Sequence, residues 1–155
     1  MTVRSGRRIA IGVLGGRDVG NDIRQIAENV GNGIAKLGGV VVCGGMGGVM
    51  EAACIGAKSR DGSITVGILP TVSKDEGNPY LDIVIATGMD GARNSIIAKS
   101  IDVAIAIDGQ YGTLSEIALC LEAGIVVIGL NTWNIEGVID ADSPEDAVAK
   151  AFENI

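Results

Sequence analysis

Twice along this chain a short aliphatic run ends in a glycine-rich loop that opens straight into a helical pattern, and this arrangement restricts the fold more than any other feature. Gly44-Gly45-Met46-Gly47-Gly48-Val49-Met50-Glu51-Ala52-Ala53 and Gly109-Gln110-Tyr111-Gly112-Thr113-Leu114-Ser115-Glu116-Ile117-Ala118 align without gaps as G-x-x-G-x-x-x-E-x-A. A strand that passes at once into a helix lying on its own sheet must be followed by a parallel strand with a right-handed crossover. Both loops therefore fall on the same edge of one sheet. The rest of the chain repeats the alternation. Strands are predicted at residues 9–14, 40–43, 63–69, 82–86, 103–107 and 125–130, as short apolar runs bounded by Gly, Pro or Asp. Ile23, Ile26, Ala27, Val30, Ile34 and Leu37 recur at helical spacing over 21–37. Further helices are predicted at 49–58, 92–100 and 113–122, and Ser143-Pro144-Glu145-Asp146 carries the cap, proline and acids of a last helix reaching about residue 153. The expected fold is α/β: a single Rossmann-like, doubly wound domain over residues 1–155, with a mainly parallel sheet of about six or seven strands and helices on both faces.

Composition fits that layering. Apolar residues make up 47% of the 155 and are mostly Ile, Val, Ala and Leu, as in parallel strands covered on both sides. The formal charge of −7 argues against nucleic-acid backbone binding, which runs on clustered Lys and Arg. One Trp, one Phe and two Tyr leave little for stacking along a single strand. Arg4, Arg7 and Arg8 read as a solvated basic terminus. Histidine is absent, which removes Ser–His and Cys–His pairs and the usual zinc sites. Cys43, Cys54 and Cys120 lie in apolar runs without C-x-x-C spacing and read as buried free thiols of a reducing, cytoplasmic setting. No apolar run reaches membrane-spanning length, and the first residues lack a signal-peptide layout.

Glycine loops at helix starts suit phosphate, because the ligand can approach the backbone and meets unpaired N–H groups at the positive end of the helix dipole. The candidate ligand-binding residues are Gly15 and Gly16 after the first strand, Gly44, Gly45, Gly47 and Gly48 in the first loop, and Gly109, Gly112 and Thr113 in the second. The usual nucleotide motifs are missing: neither loop is G-x-G-x-x-G, strand two ends in Cys43 rather than a ribose-binding acid, and there is no Gly-Lys pair. Glu116 admits two readings, a ligand contact or the far half of a Thr113-x-x-Glu116 capping box. Arg93, at a strand-to-helix junction, either grips an anion or pairs with Asp90 at the surface. Asn94 is placed to cap a helix or to bond ligand. The polar stretch 71–80 reads as a lid or as disorder.

Gly88-Met89-Asp90-Gly91-Ala92-Arg93-Asn94, together with the two loops and the strand and helix order, resembles a superfamily that contains molybdenum-cofactor carrier proteins and cytokinin-activating phosphoribohydrolases of the lonely-guy type. Some of its members are called lysine decarboxylases, a role for which this chain has no recognisable cofactor-binding lysine. The resemblance implies a nucleotide- or phosphate-binding Rossmann-like fold that assembles as a homodimer or homotetramer. It implies that Gly112 and Thr113 hold phosphate and that, in a hydrolase, Arg93 and Glu116 support cleavage of a glycosidic bond. Against the hydrolase pattern P-G-G-x-G-T-x-E-E, Asp108, Gln110 and Ser115 stand in place of Pro, Gly and Glu, and Asn94 follows Arg93 where a lysine is usual. Ala92-Arg93-Asn94 is closer to the carriers, which bind a phosphorylated pterin without turning it over. The leading expectation is binding or carriage of a small phosphorylated ligand, nucleotide-like or pterin such as molybdenum cofactor. No further cofactor or metal is required, and neither nucleic acid nor membrane is expected as a partner. The alternatives are a nucleoside 5′-monophosphate phosphoribohydrolase and a ligand-sensing or scaffold module.

Overall fold

A computed structural model describes residues 6–155. Seven strands, all parallel, form one sheet in the order β4-β3-β2-β1-β5-β6-β7: β1 (Ala10–Gly15), β2 (Val40–Cys43), β3 (Thr65–Leu69), β4 (Ile83–Ala86), β5 (Val103–Ile107), β6 (Val127–Leu130) and β7 (Val138–Asp140). Five helices connect them: α1 (Asn21–Lys36), α2 (Val49–Lys58), α3 (Asn94–Ser100), α4 (Tyr111–Glu122) and α5 (Pro144–Glu153). The chain is thus an α/β Rossmann-like fold.

The period-two pattern of the strands divides the core. Ile11, Val13, Val41, Val103, Ile105 and Ile128 point toward α1, α2 and α5, while Leu14, Val42, Ala104, Ala106 and Val127 point toward α3 and α4. Most strand residues are buried on both faces, which is why the sequence reads as unbroken aliphatic runs.

Some junctions differ from the sequence expectations. A 3-10 turn, Asp90–Arg93, precedes α3. Helix α4 starts two residues before Thr113, with Gln110 at its N-cap, so Thr113 lies inside the first turn and cannot be the cap of a capping box. At α5 the expected cap is present, Ser143 Oγ accepting from Asp146 N at 3.0 Å. Arg4 lies outside the described residues. Arg7 and Arg8 have partners: Arg7 pairs with Asp102 at 2.7 Å, and Arg8 donates to the Gly62 carbonyl. Asp102 also accepts from Ala10 N at 2.8 Å, fastening the start of β1 to the turn before β5.

Gly31 and Gly33 contact other helices rather than the sheet. A Cβ on Gly31 would collide with the Ala53 carbonyl of α2, and one on Gly56 with the Glu28 carbonyl of α1, so the two helices cross backbone to backbone. Gly33 faces the flexible end of Val148, 3.1 Å from where its Cβ would lie. Backbone cannot move aside as a side chain can. Gly31→Ala or Gly56→Ala should each cost about 3 kcal/mol of folding stability, and Gly33→Ala about 1 kcal/mol or less, as read from urea midpoints at unchanged m-value.

Candidate functional site

Between β1 and β5 the strand order reverses, and the loops leaving their carboxyl ends diverge toward opposite faces of the sheet. A cleft of about 410 Å³ opens there. It is lined by Gly15 to Val19 after β1, by Met46 and Met50 from the β2 side, by Pro70, Arg93 and Asn94, and by Asp108 to Gln110, Gly112, Thr113 and Glu116 after β5. Of the residues singled out from sequence, the fold gathers Gly15, Gly16, Arg93, Asn94, Gly109, Gly112, Thr113 and Glu116 around this one space. Gly44, Gly45, Gly47 and Gly48 do not line it.

The first glycine loop is packed from beneath. Val49 N, the first N–H of α2, donates to the Gly16 carbonyl at 3.0 Å, and a Cβ at Gly48 would strike the Gly16 and Arg17 carbonyls. At Gly44 the reason for glycine is Arg93, whose Nη1 would lie 2.7 Å from a Cβ. The matching glutamate, Glu51, forms an ion pair with Arg24 of α1 at 3.2 Å, away from the cleft. The two loops share a sequence pattern and a place on the sheet edge, but the first reaches the cleft only through Met46, whereas Gly109, Gln110 and Gly112 of the second line it.

Arg93 forms no pair with Asp90. Its Nη1 donates to the carbonyls of Gly44 (2.6 Å) and Ile68 (2.7 Å), the ends of β2 and β3, while Nε is buried with no hydrogen-bond partner. Next to it Asn94 is 7% exposed and its Oδ1 is also buried without a partner. Glu116 is 9% exposed, faces the same cleft, and has no hydrogen bond among the described residues. Burial pushes its carboxyl up to about 8, with the Arg93 charge pulling the other way. Burial likewise holds the Arg93 guanidinium below its ordinary value, opposed by Glu116. The floor of the cleft thus holds a carboxyl that burial keeps protonated near neutral pH, and just behind its surface lie a guanidinium nitrogen and an amide oxygen buried without a hydrogen-bond partner. Such groups are costly to bury unless something enters to meet them.

Asp108 and the start of α4 form the rim. Asp108 takes the left-handed conformation (φ 48°) and is fixed there by its own N–H to the Leu130 carbonyl and by Thr132 Oγ1 to its carbonyl. The first turn of α4 lines the cleft through Gly112 and Thr113, and no side chain caps its N–H groups. Arg17 and Asp18, on the opposite rim, were not signalled by any motif. Nor was Asn78. Its backbone N–H and Nδ2 donate to the carbonyls of Gly45 and Met46 at 2.8 and 3.1 Å, so the 71–80 stretch is neither lid nor disordered coil but a brace under the first glycine loop. Cys43 and Cys54 meet below that loop with Sγ atoms 3.8 Å apart; both are buried free thiols, as is Cys120.

An uncharacterised protein of Archaeoglobus fulgidus is 47% identical over 139 residues, 89% of this chain and 91% of its own. The molybdenum cofactor binding protein of Rippkaea orientalis superposes with a TM-score of 0.90 at 35% identity, over 96% of this chain and 98% of that one. The molybdenum cofactor carrier protein of Chlamydomonas reinhardtii superposes at 0.83 with 32% identity, over 96% and 98%. No helix among the described residues is long and apolar enough to cross a membrane. A family model matches residues 8–154 and covers both rims and the floor of the cleft: the chain belongs to the SLOG cluster4 family.

Proposed function

We propose that this protein binds and carries a small phosphorylated ring ligand, a pterin of the molybdenum-cofactor type, in the cleft between β1 and β5. The observation that carries this reading is the pairing of an uncapped α4 N-terminus at the rim with unsatisfied polar groups on the floor. The helix start suits a phosphate through Gly109, Gly112 and Thr113. Arg93, Asn94 and Glu116 suit the uncharged donors and acceptors of the rest of the molecule. Similarity to two molybdenum-cofactor-binding proteins over nearly the whole chain supports the same ligand class. Charge balance is compatible with an anion: with Glu116 protonated, Arg17 and Arg93 offset Asp18 and Asp108. The setting is cytoplasmic in this reading. Assembly as a homodimer or homotetramer is supported by the edge strand β4, where Ile83 and Ile85 are 49% and 45% exposed; light scattering on the purified protein tests it.

A second reading rests on Glu116 alone. A carboxyl protonated near neutral pH beside an arginine is equipped to protonate a departing base, so the cleft also suits hydrolysis of a nucleoside 5′-monophosphate to base and ribose 5-phosphate. Base released from a monophosphate panel, and abolished in Glu116→Ala, would favour hydrolysis over carriage.

Protein incubated with molybdenum cofactor freed from a molybdoenzyme should retain the pterin through gel filtration, detected by fluorescence after oxidation. Saturation at about 100 times Kd should raise folding stability by about 2.7 kcal/mol. No retention, and no rise in Tm with any phosphate ester, would sink the binding reading.

Glu116 also predicts a pH signature. Its folded value lies above the ordinary 4.5, so the native state holds a proton that the unfolded chain has released between pH 4.5 and about 8. Stability should therefore fall across that window, by at most roughly 1.4 kcal/mol per pH unit from this group, and the slope should flatten in Glu116→Gln. Affinity for a phosphate ester should weaken above pH 8, as the floor gains a negative charge, and Glu116→Gln should remove that loss. A pH profile identical in both proteins would contradict the assignment.

A further inference from the structure

Arg17 lines the cleft from the segment between β1 and α1, on the rim opposite Asp108 and the start of α4. Its backbone is seated on the first glycine loop. The Gly16 carbonyl accepts from Val49 N at 3.0 Å, a Cβ at Gly48 would strike the Arg17 carbonyl, and one at Gly47 would lie 3.6 Å from the same oxygen. Gly48 has φ 63°, a left-handed conformation that favours glycine. Val19, two residues beyond Arg17, is half-buried against the core and fixes the other end of the turn. Apart from Met46, then, the first loop serves the cleft by giving Arg17 a fixed base.

The Arg17 side chain has no such anchor. It is exposed and, among the described residues, makes no hydrogen bond and no ion pair, although Asp18 and Asp108 line the same cleft. Its charge nevertheless reaches the floor. Burial does most to hold the Arg93 guanidinium below its ordinary value, Glu116 and Cys43 oppose it, and the positive charge of Arg17 adds to the lowering. Arg93 itself is hydrogen-bonded only to carbonyls. Two guanidinium groups thus bear on one space with no carboxylate hydrogen-bonded to either, an arrangement favourable to an anion bound there.

We propose that Arg17 clamps the phosphate of the cleft's ligand from the rim opposite α4, and that this contact selects a doubly charged phosphate monoester over a singly charged diester. The proposal rests on the binding reading above. The start of α4 offers neutral N–H donors, which serve either kind of ester; a guanidinium adds a full positive charge and a fork of donors, and its pull grows with the charge on the phosphate. A monoester carries about two negative charges near pH 7 and a diester about one. Of the two arginines lining the cleft, Arg93 is held on the floor by the carbonyls of Gly44 and Ile68, which leaves Arg17 free to close on the phosphate.

Guanosine 5′-monophosphate is a suitable monoester, because its aminopyrimidinone ring is the one pterins also carry, and its phosphate methyl ester is the matching diester. Calorimetric affinities are measured for both near pH 7 with the wild type, Arg17→Ala and Arg17→Lys. The wild type should bind the monoester about ten-fold more tightly than the diester. Arg17→Ala should weaken the monoester by about ten-fold and the diester clearly less, so that the preference shrinks. Arg17→Lys, which keeps the charge without the fork, should recover part of the loss. Added salt should weaken the monoester more in the wild type than in Arg17→Ala. The Tm of the ligand-free Arg17→Ala protein should equal that of the wild type, because the side chain has no partner in the protein.

Equal binding of monoester and diester by the wild type, or a loss in Arg17→Ala that is absent or the same for both, overturns the clamp and leaves the phosphate cleft standing. Tighter binding by Arg17→Ala overturns it also, making the arginine a gate over the cleft. A fall of several degrees in the Tm of ligand-free Arg17→Ala overturns it by giving the side chain a structural task. Failure of both compounds to bind the wild type removes the binding reading, and the clamp with it.

Discussion

Strand β1 is flanked by β2 on one side and β5 on the other, both parallel to it, and this reversal of strand order governs the molecule. Parallel neighbours reached by right-handed crossovers in opposite directions send α1 and α4 to opposite faces of the sheet. The loops that lead into them must separate, and a crevice opens at the carboxyl edge. Everything assigned to the site hangs on that crevice. Gly15 and Gly16 form one wall because they end β1; Asp108 and Gly109 form the other because they end β5. Arg93 then ties the crevice to the adjoining strands, binding the carbonyls at the ends of β2 and β3 with a single nitrogen.

The burial of Arg93 beside Glu116 shows how the same scaffold creates chemistry. The guanidinium is held by backbone carbonyls rather than by a carboxylate, so the glutamate is left without a hydrogen-bonded partner and its burial keeps it protonated near neutral pH. A fully paired Arg–Glu bridge would have closed the floor of the cleft. Instead the floor retains unmet donors and acceptors, a condition that favours a ligand over a packed core.

Strand and helix alternation was legible because both periods are written in aliphatic residues, and α5 announced itself through Ser143 and Pro144. The second glycine loop could also be read, since its task is local: a turn, a helix start and exposed N–H groups. The first loop, with the same pattern, is closed off because Gly16, Arg17 and Arg93 pack directly against its glycines, and these are far from it in sequence. Thr113 and Glu116 have the spacing of a capping box, but α4 begins two residues earlier, at Tyr111, which spacing alone does not reveal. Asn78 had no signal at all, since a brace made through the carbonyls of Gly45 and Met46 depends on tertiary contact rather than on spacing. Arg17 likewise gains meaning only from the tertiary fold, which sets it on the cleft opposite Asp108.

A crystal structure of the complex with guanosine 5′-monophosphate tests the central claim most directly. The phosphate should lie against the start of α4, at Gly109 to Thr113, with polar groups of the ligand near the Arg93, Asn94 and Glu116 side chains. Electron density for the nucleotide elsewhere, or density in the cleft whose phosphate contacts the first glycine loop at Gly44 to Gly48 instead, would contradict it.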